Sequence, residues 1–246
     1  MDAPQVTLGP MSDNATPLIL LTRPRAQGAR FAALCEAEFG ICAEVMQAPM
    51  QEIVWTERVP AMPEGAAAIF TSENGVLGYL RAGPGAGRRA YCVGDRTAEA
   101  ARAGGFDAIS ANGTVDDLAA VILRARPAGP LFHLHGRALR GDLVGWLRDA
   151  GLAATGHVVY DQRALPLTAE ARAALASPRR VIAPLFSPRS ARLLAGAVTD
   201  LENTSLPCIS NATHLALPEA LRDRATISDA PTGAAMLIAI ARQLCP

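Results

Sequence analysis

Two apolar runs in this chain end in hydroxyls. Ala66-Ala67-Ala68-Ile69-Phe70 runs into Thr71-Ser72-Glu73-Asn74-Gly75, and Val181-Ile182-Ala183-Pro184-Leu185-Phe186 runs into Ser187-Pro188-Arg189-Ser190. A hydroxyl just after a strand can accept a hydrogen bond from the first turn of the next helix, which is capping and nothing more. The same plain reading fits Thr97, after Cys92-Val93-Gly94, and Thr213, after Cys208-Ile209-Ser210. Four such helix starts offer more than caps, because free N–H groups at helix N-termini bind anions. A ligand with several carboxylates suits them. Tyr160, in His157-Val158-Val159-Tyr160-Asp161-Gln162-Arg163, ends a strand-like run. It reads either as a half-buried packing tyrosine with a satisfied hydroxyl or as a hydrogen-bond donor and weak general acid at a ligand.

His133 and His135 stand two apart in Leu131-Phe132-His133-Leu134-His135-Gly136 and so share one face of a strand. No acid or cysteine sits at a companion spacing, so no metal site is expected. His133 reads as structural, and His135 as closer to a ligand because it ends the strand. Trp146, spaced helically with Leu143 and Leu147, reads as core rather than as a cofactor stack.

Composition narrows the classes. The chain has 246 residues, half of them hydrophobic and only 4% aromatic, and its 23 basic residues, all arginine, balance 23 acids. A formal charge of zero gives no global field to attract nucleic acid or an anionic membrane. The absence of lysine also removes any G-x-x-x-x-G-K-[ST] phosphate loop, and no G-x-S-x-G elbow occurs. A GC-rich coding bias accounts for it more simply than a functional need for arginine forks. Ala82-Gly83-Pro84-Gly85-Ala86-Gly87 has the glycines of a nucleotide loop but follows a helix and precedes a strand, the reverse of the order such a loop needs. Five cysteines, Cys35, Cys42, Cys92, Cys208 and Cys245, make no C-x-x-C pair and read as reduced core residues of a cytoplasmic protein. The first sixteen residues lack the features of a secretory signal and read as a loose tail, and no apolar run reaches the roughly 20 residues of a spanning helix.

Strand-like and helix-like patterns alternate throughout, which predicts parallel sheets covered by helices. Helices are expected over 26–39, with Phe31, Leu34, Cys35 and Phe39 near one face, and over 75–80, 97–103, 115–124, 142–150, 190–198, 214–222 and 234–244. The pattern also repeats. Pro17 and Pro130, Gly28 and Gly141, and Leu34 and Leu147 share one offset, and the pairs Ser72 with Ser187 and Thr97 with Thr213 depart from it by only a few residues. An internal duplication is the expectation, giving two similar lobes with a ligand cleft between them. Polar groups then gather at the carboxyl ends of parallel strands, where open α/β sheets bind ligands. The two serine segments are expected to flank that cleft.

In their order and spacing these segments resemble a known family. Leu21-Thr22-Arg23-Pro24, Phe70 to Val76, Cys92 to Ala101, His135 to Leu143, Val158 to Asp161 and Leu185 to Ala191 together resemble uroporphyrinogen-III synthase, from about Pro17 to the C-terminus. The resemblance implies two lobes, each a parallel sheet flanked by helices, joined by a two-stranded β ladder. Residues 1–46 and 166–246 would form one lobe, 53–159 the other, and 47–52 and 160–165 the linkers. It implies a cyclising lyase that takes the linear tetrapyrrole hydroxymethylbilane, expels its hydroxyl as water, inverts the terminal pyrrole ring and closes the macrocycle to uroporphyrinogen III. No cofactor or metal is implied, nor any nucleic-acid or membrane partner, and a cytoplasmic monomer is.

By resemblance Tyr160 would assist loss of the hydroxyl. Thr22, Arg23, Ser72, Asn74, Gly94, Thr97, Gly136, Arg140, Ser187 and Thr213 would line the substrate site, with the Gly136 loop and Arg140 holding carboxylates. The chain departs from the family in Ile209-Ser210-Asn211-Ala212-Thr213, where Ile-Gly-x-Thr-Thr is common, and at Asn74, where some members carry a basic residue. The competing reading is a non-enzymatic two-lobed protein that binds or senses a small anionic ligand through the same helix N-termini.

Overall fold

The computed structural model describes residues 16–139, 141–198 and 201–244. Along the chain run β1 (Leu18–Leu21), α1 (Arg25–Phe39), a 3-10 turn (Gly40–Cys42), β2 (Glu44–Gln47), β3 (Gln51–Trp55), β4 (Ala67–Phe70), α2 (Glu73–Leu80) and β5 (Arg89–Cys92). There follow α3 (Asp95–Ala103), β6 (Asp107–Ser110), α4 (Val115–Ala125), β7 (Leu131–Gly136), α5 (Leu143–Asp149) and β8 (Ala154–Ala164). The remainder is α6 (Ala169–Leu175), β9 (Val181–Ile182), α7 (Pro188–Ala197), β10 (Thr204–Cys208), α8 (Asn211–Leu215), α9 (Glu219–Arg222), β11 (Ala225–Ile227) and α10 (Gly233–Leu244). Two compact units result. The described residues up to Glu52 join those from Ala164 onward, and Ile53–Arg163 form the second unit, so the chain passes between units within β3 and near the end of β8.

The first unit is built on the parallel strand order β11-β10-β9-β1-β2. Its centre is the run Leu18-Ile19-Leu20-Leu21, buried at all four positions. A strand covered on both faces can be continuously apolar. Period two then divides it: Leu18 and Leu20 join a cluster with Leu185, Leu194 and Leu206, whereas Ile19 and Leu21 join Phe31, Cys35, Met236 and Ile240.

The second unit has the order β3-β8-β7-β4-β5-β6, with the strands from β8 to β6 parallel. The same division recurs in β4, where Ala68 and Phe70 face Val76, Leu134 and Phe106, and Ala67 and Ile69 face Leu118, Ile122 and Leu147. Phe70 is fully buried, with Phe106 edge-on at 5.2 Å. Burying such a ring stabilises the fold by about 2 kcal/mol. Exchanging β1 with β7, β2 with β8, β9 with β4, β10 with β5 and β11 with β6 converts the strand order of the first sheet into β8-β7-β4-β5-β6, that of the second without its edge strand β3.

Several expectations need correction. Thr97 and Thr213 lie inside α3 and α8, whose N-cap positions are taken by Gly94 and Ser210. The helix expected over 214–222 is two short helices, because Pro218 cannot continue α8 and instead precedes α9. Leu34 is half exposed on α1, and Trp146 is 44% exposed while its neighbours Leu143 and Leu147 are buried, so Trp146 is not core. Cys42 is exposed, whereas Cys35, Cys92 and Cys208 are buried, their thiols pushed up to about 12 chiefly by burial. Arg140 and Cys245 lie outside the described residues. No helix among the described residues is long and apolar enough to cross a membrane.

Helix α2 lies close against β7. A Cβ built on Gly75 would stand 2.4 Å from the Leu134 carbonyl oxygen. Backbone cannot yield as a flexible side chain can, so Gly75→Ala is expected to destabilise the protein by about 1–3 kcal/mol, read as a lower urea midpoint. An unchanged midpoint would show that α2 can stand off the strand.

Candidate functional site

In the second unit, side chains from three parallel strands and one helix start meet at the carboxyl edge of the sheet. β4 ends at Phe70, and the next two residues point their hydroxyls in different directions. The Thr71 hydroxyl contacts His133 Nε2 at 3.1 Å, and the Ser72 hydroxyl meets the Tyr160 hydroxyl at 3.0 Å. Ser72 is extended (φ −160°, ψ 154°) and caps α2, accepting the Gly75 N–H at 3.2 Å. Asn74 is half-buried in the first turn of α2. The capping reading of Ser72 is therefore correct, and its reach to Tyr160 is additional.

Tyr160 owes its position to an irregularity. His135 pairs with Val158, but Gly136 pairs with Tyr160, so Val159 is an extra residue in β8. Successive residues of a regular strand face opposite sides, and a bulge re-aims a side chain. Here Val159 and Tyr160 both join the core that contains Phe70, Val76 and Leu134. A Cβ built on Gly136 would stand 2.6 Å from Cζ and 2.9 Å from the hydroxyl oxygen of Tyr160. The phenol lies in the space that glycine leaves. Trp55 of β3 meets the same ring edge-on at 6.4 Å and carries the Arg81 guanidinium 5.8 Å from its own centroid. The Arg137 N–H donates to the Tyr160 carbonyl at 2.9 Å, fixing the turn after Gly136.

Electrostatically the phenol stays neutral. Burial raises its pKa above the usual value, and the Ser72 hydrogen bond opposes that in part. His133 is buried and held neutral, down to about 3, by burial first and by neighbouring His135 second. Its Nδ1 has no hydrogen-bond partner among the described residues. An orphaned lone pair costs less than an orphaned N–H, so the proton belongs on Nε2, donated to Thr71. His135 turns Nδ1 to the Gly136 carbonyl at 2.8 Å. The described residues hold no group of three or more His, Cys, Asp or Glu side chains able to bind a metal.

Gly94 precedes α3 as a cap without a side chain, and Thr97 is buried two residues into that helix. Thr22, Arg23, Ser187 and Thr213 belong to the first unit, again after the carboxyl ends of its strands. Thr22 is buried and its hydroxyl has no partner among the described residues. The Arg23 guanidinium lies 3.9 Å from the centroid of the Phe186 ring, a cation–π contact. Ser187 and Ser190 cap α7 reciprocally, at 3.1 and 3.0 Å. Ser210 caps α8 and contacts the Thr213 hydroxyl at 3.1 Å. Thus the two serines that look alike in sequence differ: Ser187 closes a box with its own helix, and Ser72 reaches a phenol. Sequence reasoning missed Trp55, the bulge at Val159 and the closeness of Gly136 to Tyr160. Two valines before a tyrosine give no sign of a bulge.

Parallel α/β units with polar groups at their carboxyl strand ends define a class that binds small molecules there. The comparisons specify the class further. Residues 29–238 match the family model HEM4, uroporphyrinogen-III synthase HemD, and the chain belongs to that family, the cyclising lyases of haem biosynthesis. In structure it is similar to uroporphyrinogen-III synthetase from Helicobacter pylori, with a TM-score of 0.67 and 18% identity over 92% of this chain and 99% of that one. A mutant uroporphyrinogen III synthase from the extremely thermophilic bacterium Thermus thermophilus gives a TM-score of 0.53 and 16% identity over 92% and 98%. No curated protein matches the chain in sequence.

The buried neutral His133 makes stability depend on pH. Its pKa is near 6.5 unfolded and about 3 folded, so its contribution is complete above about 6.5 and is lost as pH falls towards 3. Between pH 7 and pH 5 the protein is expected to lose about 2 kcal/mol through this group. Urea titrations of wild type and His133→Gln at both values test this; an equal loss in the two proteins would contradict it.

Proposed function

We propose that this chain converts hydroxymethylbilane to uroporphyrinogen III, with Tyr160 as the group that assists departure of the hydroxyl. The observation that carries the assignment is the phenol itself: buried, kept protonated, and fixed at a carboxyl strand edge beside Ser72. As the C–O bond of the hydroxymethyl carbon breaks, the pyrrole nitrogen supplies electrons and the phenol gives its proton to the departing oxygen, so water leaves instead of hydroxide. Attack on the resulting azafulvene by the substituted carbon of the last ring gives the spiro intermediate. The spiro carbon's bond to its original bridging methylene then breaks, the methylene rejoins at the free α carbon of the same ring, and the proton lost from that carbon restores the phenol. One C–O bond is exchanged for one C–C bond, and one water leaves.

The acetate and propionate arms need partners that do not consume the proton. We assign that role to N–H groups at the starts of α2 and α3, near Asn74, Gly94 and Thr97, to the Gly136 turn with Arg140, and in the first unit to Thr22, Arg23, Ser187 and Thr213. Helix starts favour anions through unpaired N–H groups and the helix dipole. The side-chain-free cap at Gly94 leaves the start of α3 uncovered by its own residue. The shared strand order of the two sheets supports an origin by internal duplication, with the first two strands of each half completing the sheet of the other. A monomer acting in the cytoplasm, without nucleic-acid or membrane partners, fits a small soluble substrate and a chain of zero formal charge.

Supplied with freshly generated hydroxymethylbilane, the protein is expected to yield the type III isomer; only the type I isomer, the uncatalysed product, would contradict the assignment. Tyr160→Phe is expected to slow turnover at least about a hundredfold, the usual worth of a positioned acid, while leaving the urea midpoint near that of wild type. Because burial raises the phenol pKa above 10.0, its proton is available across neutral pH and is lost only as pH rises past that value. Turnover of Tyr160→Phe at the wild-type rate would remove Tyr160 from the mechanism.

A further inference from the structure

We propose that Ser72 is a positioning residue for Tyr160 rather than a substrate contact: it donates its proton to the phenol oxygen, so that the phenol proton is left for the substrate. This rests on the assignment of Tyr160 above and reverses the substrate-binding role expected for Ser72.

Two protons decide the direction of this contact. Ser72 Oγ accepts the Gly75 N–H at 3.2 Å and lies 3.0 Å from Tyr160 Oη. Among the described residues the phenol oxygen has no other hydrogen-bond partner. If Tyr160 donated to Ser72, the phenol proton would be spent and the serine proton would have no acceptor among the described residues. If Ser72 donates, its proton and its accepted N–H are both matched, and the phenol keeps a free O–H. The bonds then run in one direction, from the Gly75 N–H to the serine oxygen, from the serine proton to the phenol oxygen, and from the phenol proton to the departing hydroxyl. Each donation makes the next proton easier to give. The helix start thereby reaches a group that its own N–H cannot touch.

The packing around Ser72 favours this geometry. Its extended backbone is held between β4 and α2, and α2 is seated on β7 by Gly75, which has no room for a Cβ. The phenol is held from the other side by Gly136 and Trp55. The nearby charged groups have partners of their own: Glu73 on α2 has Arg96 at 3.6 Å, and Arg137 pairs with Asp161 at 2.9 Å. His135 on β7 faces the Gly136 carbonyl. Ser187, the serine at the matching place in the first unit, has its hydroxyl engaged with Ser190.

The test compares Ser72→Ala, Ser72→Thr, Tyr160→Phe and the double variant in the bilane cyclisation assay, with Thr114→Ala as the control for a lost helix cap. Thr114 caps α4 through a reciprocal box with Asp117, and among the described residues its side-chain hydrogen bonds are to Asp117. Ser72→Ala is expected to lower kcat about tenfold, the scale of one hydrogen bond to a developing charge, with KM unchanged. Ser72→Thr restores kcat, the double variant is no slower than Tyr160→Phe, and Thr114→Ala keeps the wild-type kcat. In protein labelled at the tyrosine ζ carbon, the Tyr160 resonance, identified by its loss in Tyr160→Phe, moves in Ser72→Ala and returns in Ser72→Thr. A raised KM at unchanged kcat would make Ser72 a substrate contact and overturn the proposal. A slow Tyr160→Phe beside a Ser72→Ala at wild-type rate would overturn it alone, whereas a fast Tyr160→Phe would overturn it together with the assignment of Tyr160.

Discussion

Gly136 has no side chain, and the Tyr160 ring occupies the volume that one would need. The rest of the site depends on that steric fact. With the ring 2.6 Å from the position of a missing Cβ, the phenol cannot settle against the end of β7 unless residue 136 is glycine, and the bulge at Val159 delivers it there by placing two successive residues of β8 on the same side. A glycine in a strand costs stability through backbone freedom and lost packing. Here the cost is offset by an aromatic ring that fills the gap and brings a polar tip to the sheet edge.

The second unit is arranged around that approach. Phe70 and Val76 pack in the same core as the phenol, Gly75 lets α2 lie on β7, and the cap of α2 is the hydroxyl that touches Tyr160. On the proposed mechanism chemistry and folding share atoms: Ser72 caps a helix and also meets the phenol. His133 supports the neighbouring Thr71 from within the core, and burial keeps it neutral at physiological pH. A site made in this way has little freedom to drift, since moving the phenol disturbs the core and moving the serine uncaps a helix. Rigid placement is what a reaction of bond departure and ring geometry asks of a protein, because a group that is already oriented adds no entropy cost at the transition state.

Much of the fold was legible because its signals are periodic. The buried run at Leu18 to Leu21 and the alternation in Ala67 to Phe70 follow from sheets covered on both faces, and the strand–helix alternation gave the α/β class. The hydroxyls at strand ends were legible as a set, and so was Tyr160 as a candidate acid at the end of a strand-like run, whereas its part in loss of the hydroxyl came from family likeness. What escaped depends on contacts between distant residues. Thr97 and Thr213 look like caps from their place after Val-Gly and Ile-Ser, yet the helices begin two residues earlier, at Asp95 and Asn211. Trp146 has helical spacing with two core leucines, but at 44% exposure it lies off the buried stripe. The bulge leaves no trace in composition, and Gly136 looks like any glycine at the end of a strand until β8 is laid beside it.

The central claim is that catalysis rests on where the phenol is held, and the direct measurement is single-turnover cyclisation of hydroxymethylbilane by Gly136→Ala, with the type III and type I isomers separated. A methyl group at residue 136 displaces the ring without removing its hydroxyl. Gly136→Ala is expected to remain folded by circular dichroism, to form type III product at least about a hundredfold more slowly, and to leave type I product to predominate. Type III formation by Gly136→Ala at the wild-type rate would contradict the claim.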